Sequence, residues 1–444
     1  MFVYVEHRKT QKAPRSNILT DSDMTISLLP HQTQILQTLK GHNRVLLAME
    51  MGTGKTFVSS EKAHSLGVDI LIVCPKSLIS MWGEHYAKYY PKYTRFDLSK
   101  PKEYEAFFSC KSKRVGIINY DLIFRRPELS TLRGYTLLLD ESSLIKNETA
   151  KRTKFILNKL HPANVILCSG TVCGGKYEQL WSQMRLLGWN IKKKEFWNRY
   201  IKYHTDMRQG FPLIFVTGYK NTDEMKSRIY QHGGRFLKTE DVLTLPPQTF
   251  TDIKVPITPE YKRMEKHGIV KIKDRGELIG DTTLTKLLYM RMLCGQYNPH
   301  KVQALRDLIQ STDDRLIVFY NFSEELDIIK TMCAVECRPL SIISGGEKDL
   351  SAYESRADSV TAIQYQAGSM GLNLQKANKI VYFTPPLSSE YFEQSKARTH
   401  RLGQSRPCFY YQLVCIGSIE EKIYSTLAKR QDYNNRLFEG DYHG

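Results

Sequence analysis

The chain has 444 residues, of which 41% are hydrophobic and 25% charged, ordinary proportions for a globular protein of two or three domains. No apolar run approaches the ~18 residues that a membrane span needs, and the first ten residues lack the order of a secretory signal. The nine cysteines include no Cys-x-x-Cys pair. This usage argues against a disulfide framework or a structural zinc site, and it predicts a reducing compartment.

The net charge of +18 predicts a polyanionic partner. Residues 191–275 hold 18 Lys and Arg against 10 Asp and Glu, so nearly half of the net charge lies in a fifth of the chain. Aromatic residues are interleaved with these basic residues, as in EFWNRYIKYH, which suits a surface that follows a nucleic-acid backbone. An exposed helical segment with lysines for solubility would give the same charge, and charge alone does not separate the two interpretations.

In chain order, ten short apolar segments rich in β-branched and aromatic residues are predicted as strands. They fall at 44–48, 69–75, 115–120, 135–141, 164–170, 315–321, 339–345, 360–365, 379–385 and 408–414. Because they lack polar alternation and amphipathic helical patterns lie between them, they predict two parallel α/β sheets buried on both faces. Residues 172–300 show little strand pattern and are predicted to be mostly helical, and the proline-marked stretch at 243–250 is the predicted junction.

The segment AMEMGTGKTF at 48–57 follows the first predicted strand, where ligands of open α/β sheets bind. Gly52 and Gly54 allow the backbone to approach a phosphate, and a helix beginning at Lys55 directs its N-terminus at the same anion. Lys55 is expected to reach the outer phosphates and Thr56 to bind Mg²⁺. Met49 occupies the first glycine position of the strict phosphate-loop pattern, and a simple glycine turn before a helix is the alternative.

Two further motifs carry charges suited to phosphoryl chemistry. LLLDESS ends a predicted strand with Asp140, expected to hold Mg²⁺ through its water shell, and Glu141, expected to orient and deprotonate the attacking water. Arg398 and Arg401, three residues apart, would share one helix face and present two guanidinium groups to a phosphate. Each motif alone also fits a solvated surface. Together they predict hydrolysis that depends on closure between two domains.

This set of motifs resembles helicase superfamily two and, within it, the SWI/SNF-type double-stranded DNA translocases. The resemblance runs from about residue 25 to the C-terminus, and its most specific motif is QSKARTHRLGQ at 394–404. The other matching segments are LLPHQ (28–32), EMGTGKT (50–56), LIVCPKSLISMW (71–82), IINYD (117–121), LLLDESSLIKN (137–147), LCSGT (167–171), RFLKTEDVLTLPPQ (235–248) and AGSMGLNLQKANKIVYFTPP (367–386).

The resemblance implies an α/β fold of two RecA-like parallel-sheet lobes in tandem with a helical insertion region between them. An N-terminal arm is expected at 1–24. Lobe 1 is expected at 25–241, including a helical protrusion at about 172–241. Lobe 2 is expected at 242–444, beginning with a helical segment at about 256–300.

The resemblance also implies ATP and Mg²⁺ as ligands and assigns roles to individual residues. The assigned catalytic residues are Lys55, Asp140, Glu141, Arg398 and Arg401. The assigned ATP contacts are Gln32, which would contact adenine, and Met51, Gly52, Thr53, Gly54, Lys55, Thr56 and Gly371; Thr56 and Asp140 are the assigned metal ligands. The assigned nucleic-acid contacts are Lys76, Tyr120 and Asn373, and the assigned coupling residues are Ser169, Gly170 and Thr171.

The sequence departs from the family pattern at Ser142 and Ser143, which replace Ala-His, at Val172, which replaces a proline, and at Met49, which replaces an aspartate. Metal and water chemistry does not need these positions, so any effect of the departures is expected on the coupling between hydrolysis and movement. The chain resembles a minimal viral or prokaryotic motor, without histone-reading, zinc or nuclease segments. The resemblance implies the cytoplasm of a prokaryote or of an infected host, and the chain is expected to act as a monomer.

The predicted function is ATP-driven translocation along double-stranded DNA, with salt-sensitive and largely sequence-independent binding. The first alternative is a strand-separating helicase of the same superfamily that acts on DNA or RNA and favours single strands. The second is a non-enzymatic nucleotide-dependent clamp, but such proteins usually lose the lysine, the carboxylates or the arginines.

Overall fold

A computed structural model of the chain describes residues 27–208, 211–272, 276–367 and 372–438. The strands of these residues form two seven-stranded sheets and two two-stranded ribbons. The elements up to residue 242 are α1 Pro30–Thr38, β1 Arg44–Met49, α2 Lys55–Ser65, β2 Ile70–Cys74, α3 Ile79–Tyr89, β3 Thr94–Asp97, α4 Pro101–Ser109, β4 Arg114–Asn119, β5 Thr136–Asp140, α5 Lys151–Asn158, β6 Asn164–Ser169, α6 Trp181–Leu186, α7 Lys193–Tyr200, β7 Ile201–Arg208, β8 Phe211–Tyr219, α8 Thr222–Gln231, β9 Gly234–Leu237 and α9 Thr239–Val242.

The remaining elements belong to the second sheet and its surroundings. They are β10 Gln248–Val255, α10 Pro259–His267, β11 Ile269–Ile272, β12 Gly276–Ile279, α11 Thr283–Cys294, α12 Pro299–Gln310, β13 Leu316–Tyr320, α13 Ser323–Val335, β14 Leu340–Ile343, β15 Lys348–Asp349, α14 Ser351–Ser355, β16 Val360–Gln364, β17 Lys379–Tyr382, α15 Ser389–Lys396, β18 Cys408–Cys415 and α16 Ile419–Phe438. The predicted arm at 1–24 lies outside the described residues.

The first sheet has the order β3-β4-β2-β5-β6-β1-β9, and all its strand pairs are parallel. Its central strands are buried on both faces, because alternate side chains enter two separate cores. Leu46 and Leu71 lie in one core, and Leu47 and Ile72 lie in the other. The chain runs from β1 to β2 and later inserts β5 and β6 between them, so the strand order reverses in this part of the sheet. A ligand site is expected at such a reversal in an open parallel sheet.

The second sheet has the order β10-β18-β17-β13-β16-β14-β15 and is parallel except for the antiparallel β14-β15 pair. Ile317 and Phe319 of β13 face one core, and Leu316 and Val318 face the other. All ten strands predicted from apolar segments are present, and the α/β fold of two parallel-sheet lobes is confirmed.

The prediction that residues 172–300 are mostly helical is wrong in part. The proposed protrusion at 172–241 contains the ribbon β7-β8 and strand β9, and the segment at 256–300 contains the ribbon β11-β12. These strands were not predicted because their sequences are not continuous apolar runs. They are exposed, short or at a sheet edge, and only a strand buried on both faces is expected to be apolar throughout. Strand β10 was missed for the same reason, since most of its residues are exposed.

The two lobes meet along a seam of direct contacts. Lys146 of lobe 1 forms an ion pair with Glu390 of lobe 2 at 2.9 Å. The Ser389 hydroxyl donates to the carbonyl oxygen of Gly174 at 2.9 Å. A Cβ at Gly175 would stand 2.4 Å from the carbonyl oxygen of Arg430, so this position requires glycine for the lobes to approach. No helix among the described residues has the length and apolar character needed to cross a membrane.

Candidate functional site

The loop at 48–57 connects β1 to α2 and has the conformation that its glycines predict. Gly52 and Gly54 adopt φ of +87° and +84°, a left-handed conformation that costs residues with side chains about 1–2 kcal/mol. A Cβ at Gly54 would also stand 2.0 Å from Gln32 Nε2. Gly54 is the N-cap of α2, so the unpaired N–H groups of the first helical turn make this loop a site for an anion.

The loop is fixed from behind by α1. Gln32 is buried, its Oε1 accepts from the backbone N–H of Leu29 at 2.9 Å, and its Nε2 donates to the carbonyl oxygen of Thr53 at 3.1 Å. His31 Nε2 lies 2.9 Å from the same oxygen. Gln32 therefore shapes the loop whether or not it contacts adenine, and its amide retains one proton and one lone pair for a ligand.

Lys55 lies between the loop and the segment that follows β6. Its ammonium group donates to the carbonyl oxygen of Met49 at 2.8 Å, and a Cβ at Gly170 would stand 3.1 Å from Lys55 Nζ. The absence of a side chain at Gly170 therefore leaves room for the lysine head group. A hydrogen bond to a single carbonyl leaves two further N–H donors of the ammonium group for phosphate oxygens.

The two carboxylates stand at the end of β5. Asp140 is buried, and its Oδ2 accepts from the indole N–H of Trp82 at 2.8 Å. Burial raises the pKa of the Asp140 carboxyl, while Trp82 and Lys55 oppose the shift. Burial also raises the pKa of the Glu141 carboxyl. The positive charge of Lys55 opposes this shift, and the negative charge of Asp140 adds to it. Two carboxyls that are costly to ionise together indicate a site arranged for a cation.

The backbone of Glu141 is strained. Its φ of +57° and ψ of +58° lie in the left-handed region, which is uncommon for a residue with a side chain and occurs most often where function requires it. The turn is held by the Tyr120 hydroxyl, which donates to the carbonyl oxygen of Asp140 at 2.9 Å. This conformation directs the chain into the 3-10 helix Ser142–Ile145.

The segment Ser169, Gly170 and Thr171 lies next to Glu141. The Ser169 hydroxyl donates to Glu141 Oε2 at 3.3 Å and accepts from the N–H of Thr171 at 3.2 Å. The Thr171 hydroxyl is buried and has no hydrogen-bond partner among the described residues. The segment is thus placed to respond to whatever the carboxylate binds, although its assigned coupling role stays a prediction.

Arg398 and Arg401 bring lobe 2 into the same site. The Cβ of Arg401 lies 3.5 Å from where a Cβ at Gly52 would stand. Arg398 is 5% exposed, and its Nε has no partner among the described residues. Burial lowers the pKa of Arg398, Arg401 lowers it further, and Glu141 raises it. A guanidinium group stays charged at neutral pH even so, so lobe 2 holds a buried cation facing the carboxylates of lobe 1.

The three predicted nucleic-acid contacts differ in their exposure to solvent. Lys76 and Asn373 are exposed and available to a ligand. Tyr120 is 2% exposed and its hydroxyl donates to the Asp140 carbonyl, so it supports the carboxylate turn, and its assignment as a nucleic-acid contact stays a prediction. Gly371, assigned to ATP binding, lies outside the described residues.

Sequence reasoning missed a set of contacts that joins the phosphate loop to the connection between the lobes. Glu50 Oε2 accepts from the N–H of Thr239 at 2.8 Å, and the Thr239 hydroxyl donates to the carbonyl oxygen of Met51 at 3.0 Å. At the other end of the connection, His400 Nε2 lies 2.8 Å from the carbonyl oxygen of Pro246. A cavity of about 570 Å³ that opens to solvent lies between these contacts. The Leu-Pro-Pro stretch predicted where the connection between the lobes lies, but the sequence pattern did not predict which residues the connection would contact.

The group of three potential metal ligands Cys294, Cys415 and Glu420 lies elsewhere, in lobe 2. Lys301 Nζ donates to both carboxylate oxygens of Glu420 at 2.5 and 2.6 Å. The ammonium group already supplies the positive charge that a metal ion would bring, so this cluster is a buried ion pair beside two thiols.

The residues at the seam fit a nucleoside triphosphate with a divalent cation. The two glycines leave an open loop over a helix N-terminus, and Arg398 Nε and the Thr171 hydroxyl are buried donors without partners among the described residues. Hydroxyl and carboxylate oxygens suit Mg²⁺, and Thr56 and Asp140 are the residues that would hold it.

Comparisons with known proteins identify the family of the chain. Residues 30–300 match the SNF2-related domain, and residues 300–403 match the helicase conserved C-terminal domain. The chain is 23% identical to an uncharacterized ATP-dependent helicase of Mycoplasma pneumoniae over 89% of this chain and 40% of the relative. It is 23% identical to the DNA annealing helicase and endonuclease ZRANB3 of Mus musculus over 98% of this chain and 44% of the relative.

A further relative is the ISWI chromatin-remodeling complex ATPase ISW1 of Saccharomyces cerevisiae, 23% identical over 89% of this chain and 39% of the relative. The chain thus spans about two fifths of the length of these relatives. Among solved structures, the Sulfolobus solfataricus SWI2/SNF2 ATPase core in complex with dsDNA aligns with a TM-score of 0.45 at 20% identity, covering 96% of each chain. Since the matched SNF2-related domain covers more than half of its residues, the chain belongs to the SNF2-related family, within helicase superfamily two.

Proposed function

We propose that this chain hydrolyses ATP between its two lobes and uses the resulting opening and closing to move along double-stranded DNA. One observation carries the proposal: Arg401 of lobe 2 lies against Gly52 of the phosphate loop in lobe 1. A site assembled from both lobes makes hydrolysis depend on their closure, which is what a motor requires.

Each residue has a role in the proposed hydrolysis. The N–H groups that follow Gly52 and the ammonium group of Lys55 bind the phosphates, and Glu141 orients the attacking water and accepts its proton. Arg398 and Arg401 stabilise the charge that develops on the transferred phosphoryl group. Mg²⁺, when held by Thr56 and Asp140, supplies further positive charge at the outer phosphates.

Duplex DNA is the proposed track. The net charge of +18 favours a polyanion, and Lys76, Asn373 and the basic residues of 191–275 are proposed to contact its backbone. Two of the relatives above are named for a DNA annealing helicase and for a chromatin-remodeling ATPase. Backbone contacts position a protein without reading sequence, so binding is expected to fall steeply with salt and to differ little among sequences.

The first test is the steady-state ATPase rate without nucleic acid and with duplex DNA, single-stranded DNA or duplex RNA. Wild type is compared with Lys55→Ala and Arg401→Ala, and with Arg406→Ala as a matched control in lobe 2. Stimulation by duplex DNA that both site variants abolish and the control retains supports the proposal. Stimulation only by single strands or RNA supports a strand-separating helicase instead, and no hydrolysis under any condition supports a nucleotide-dependent clamp.

Movement is measured separately, because a DNA-stimulated ATPase need not translocate. A third strand bound to the duplex as a triplex is displaced by a protein that moves along the duplex. We expect displacement that requires ATP and is lost in Arg401→Ala. Hydrolysis without displacement would contradict translocation while leaving the ATPase intact.

A further inference from the structure

The ribbon formed by β7 and β8 is the feature that the proposed function does not use. Its strands pair antiparallel with each other, and among the described strands they pair with no third one. A two-stranded ribbon is marginally stable in water unless one of its faces is covered. Here both faces keep exposed side chains, although Trp197 packs edge-on against Tyr203 at 5.6 Å, so the ribbon has surface left to receive a ligand.

The ribbon exposes apolar and aromatic side chains on both faces. Register and strand alternation place Tyr203, Val216 and Ile214 on one face, and His204 and Phe215 on the other. Tyr203 is 41% exposed and Ile214 is 54% exposed. The rings of His204 and Phe215 stack on each other at 5.2 Å with an interplanar angle of 15°, so they form a stacked aromatic pair on the exposed ribbon.

The root of the ribbon is firmly held. Ile201 is 1% exposed. Tyr219 stacks on Tyr177 at 4.3 Å, and its hydroxyl donates to Glu178 at 2.9 Å. The Tyr219 hydroxyl also lies 3.2 Å from the carbonyl oxygen of Gly175, the glycine that contacts Arg430 across the seam. The root of the ribbon therefore lies beside the seam along which the lobes meet.

The charge around the ribbon is positive. Residues 192–220 contain seven Lys and Arg against two Asp and Glu. Lys192 and Lys194 lie just before the ribbon, Lys202 lies within it and Lys220 just after it, and all four are exposed. A protein partner for an apolar ribbon would not need this charge, whereas a ligand with flat apolar faces on an anionic backbone matches both features.

We propose that the ribbon β7-β8 binds unpaired nucleobases of the nucleic acid on which the motor acts. Bases stack on the exposed aromatic side chains while the flanking lysines neutralise the backbone. Because a duplex hides its base faces in its own stack, the ribbon distinguishes ends, forks and single-stranded gaps from continuous duplex. This inference rests on the proposed function only in taking nucleic acid as the ligand.

The test compares the affinity of the full chain for a blunt duplex with that for a fork of the same duplex and two non-complementary arms. The ribbon variant is His204→Ala/Phe215→Ala, and the matched control is Val335→Asp, an exposed apolar residue of α13. We expect the ribbon variant to lose at least tenfold in fork affinity and less than twofold in duplex affinity. The control should change neither.

A second readout reports stacking directly. 2-Aminopurine placed in one fork arm loses fluorescence when it stacks, so wild type should quench it and the ribbon variant should not. Tyr203→Phe, which keeps the ring, should behave as wild type, and Tyr203→Ser should weaken quenching. Unchanged thermal unfolding of the variants shows that they remain folded.

Three results overturn the inference. Equal loss of fork and duplex affinity in the ribbon variant would mean a general electrostatic surface, and no loss of either would mean that the ribbon does not touch nucleic acid. A wild-type dimer in sedimentation that the ribbon variant abolishes would assign the ribbon to self-association instead. The ATPase rate on blunt duplex distinguishes failure of the motor proposal from failure of the ribbon proposal. If wild type shows no ATPase activity on blunt duplex but still quenches 2-aminopurine in the fork, the motor proposal is contradicted and the ribbon proposal is supported.

Discussion

Replacing Arg401 with alanine tests whether hydrolysis needs both lobes. Arg401 comes from lobe 2, and its Cβ stands 3.5 Å from the Cβ position of Gly52 in the phosphate loop. A guanidinium group ~4 Å from the transferred phosphoryl group contributes roughly 4 kcal/mol at an effective dielectric constant of about 20. A loss of this size in the transition state lowers kcat by about a thousandfold, within the range found for arginine fingers.

The affinity for ATP should change far less than kcat. Lys55 and the loop N–H groups belong to lobe 1 and are unaffected, so the variant should still bind ATP when measured by calorimetry. Arg401→Lys, which keeps the charge but loses the planar fork, should fall between wild type and Arg401→Ala. Arg406→Ala is the control, because Arg406 is exposed and bonded to the carbonyl oxygen of Lys376. A loss of kcat below tenfold in Arg401→Ala, or the same loss in Arg406→Ala, would refute the two-lobe site.

Three further substitutions test the loop and the core. Gly54→Ala should weaken ATP binding by about tenfold. The φ of +84° at position 54 and the clash of a Cβ with Gln32 together raise the free energy of the loop by at least the ~1–2 kcal/mol of a left-handed residue. An unchanged Kd for ATP in calorimetry would contradict this. Lys301→Met should destabilise lobe 2 by about 3–5 kcal/mol, because it leaves Glu420 buried without its cation; a double variant with Glu420→Gln should recover most of the unfolding midpoint. Burial raises the pKa of Glu325 to about 7 in the folded chain, so the stability it contributes is complete below its unfolded pKa of ~4.3 and is lost as the pH rises through about 7. Glu325→Gln should therefore flatten the fall of the thermal midpoint between pH 5 and 8, and an equal fall in both proteins would be the contrary result.

The sheets could be predicted because their central strands are buried on both faces. RVLLA and RLIVFYN leave no polar position to mark a solvent face, and in the structure each has a parallel strand on both sides. The edges could not be predicted in this way. β9 has four residues, and β10 is largely exposed, so the burial that produces an apolar run is absent. The ribbon β7-β8 was missed because it follows a lysine-rich helix and its apolar residues lie in solvent.

The candidate site was predictable where its residues follow a strand directly. Lys55, Asp140 and Ser169 stand at the carboxyl ends of β1, β5 and β6, so parallel pairing alone brings them together. The approach of Arg401 to the loop depends on how two separate sheets face each other, which no local pattern encodes. The burial of Tyr120 could not be predicted for a related reason: its position after a strand suggested a ligand contact, and only the packing shows that its ring is buried.

The departures at positions 142 and 172 are connected in the structure through a buried glutamine. Gln183 is fully buried, its Oε1 accepts from the Ser142 hydroxyl at 2.7 Å, and its Nε2 donates to the carbonyl oxygen of Val172 at 2.7 Å. An alanine at 142 could not donate, and Gln183 Oε1 would then be left unpaired at a cost of about 1–3 kcal/mol. A proline at 172 would offer the same carbonyl, since proline lacks only the N–H.

Ser142 therefore adds a hydrogen bond between the carboxylate turn and the residues after Thr171, where the family pattern would have none from this position. The turn that carries Glu141 and the segment assigned to coupling are joined on two sides, through Ser169 and through Gln183. The departure at 142 therefore ties the carboxylate turn more closely to its neighbouring segment than the family pattern would, which accords with the proposed dependence of movement on hydrolysis.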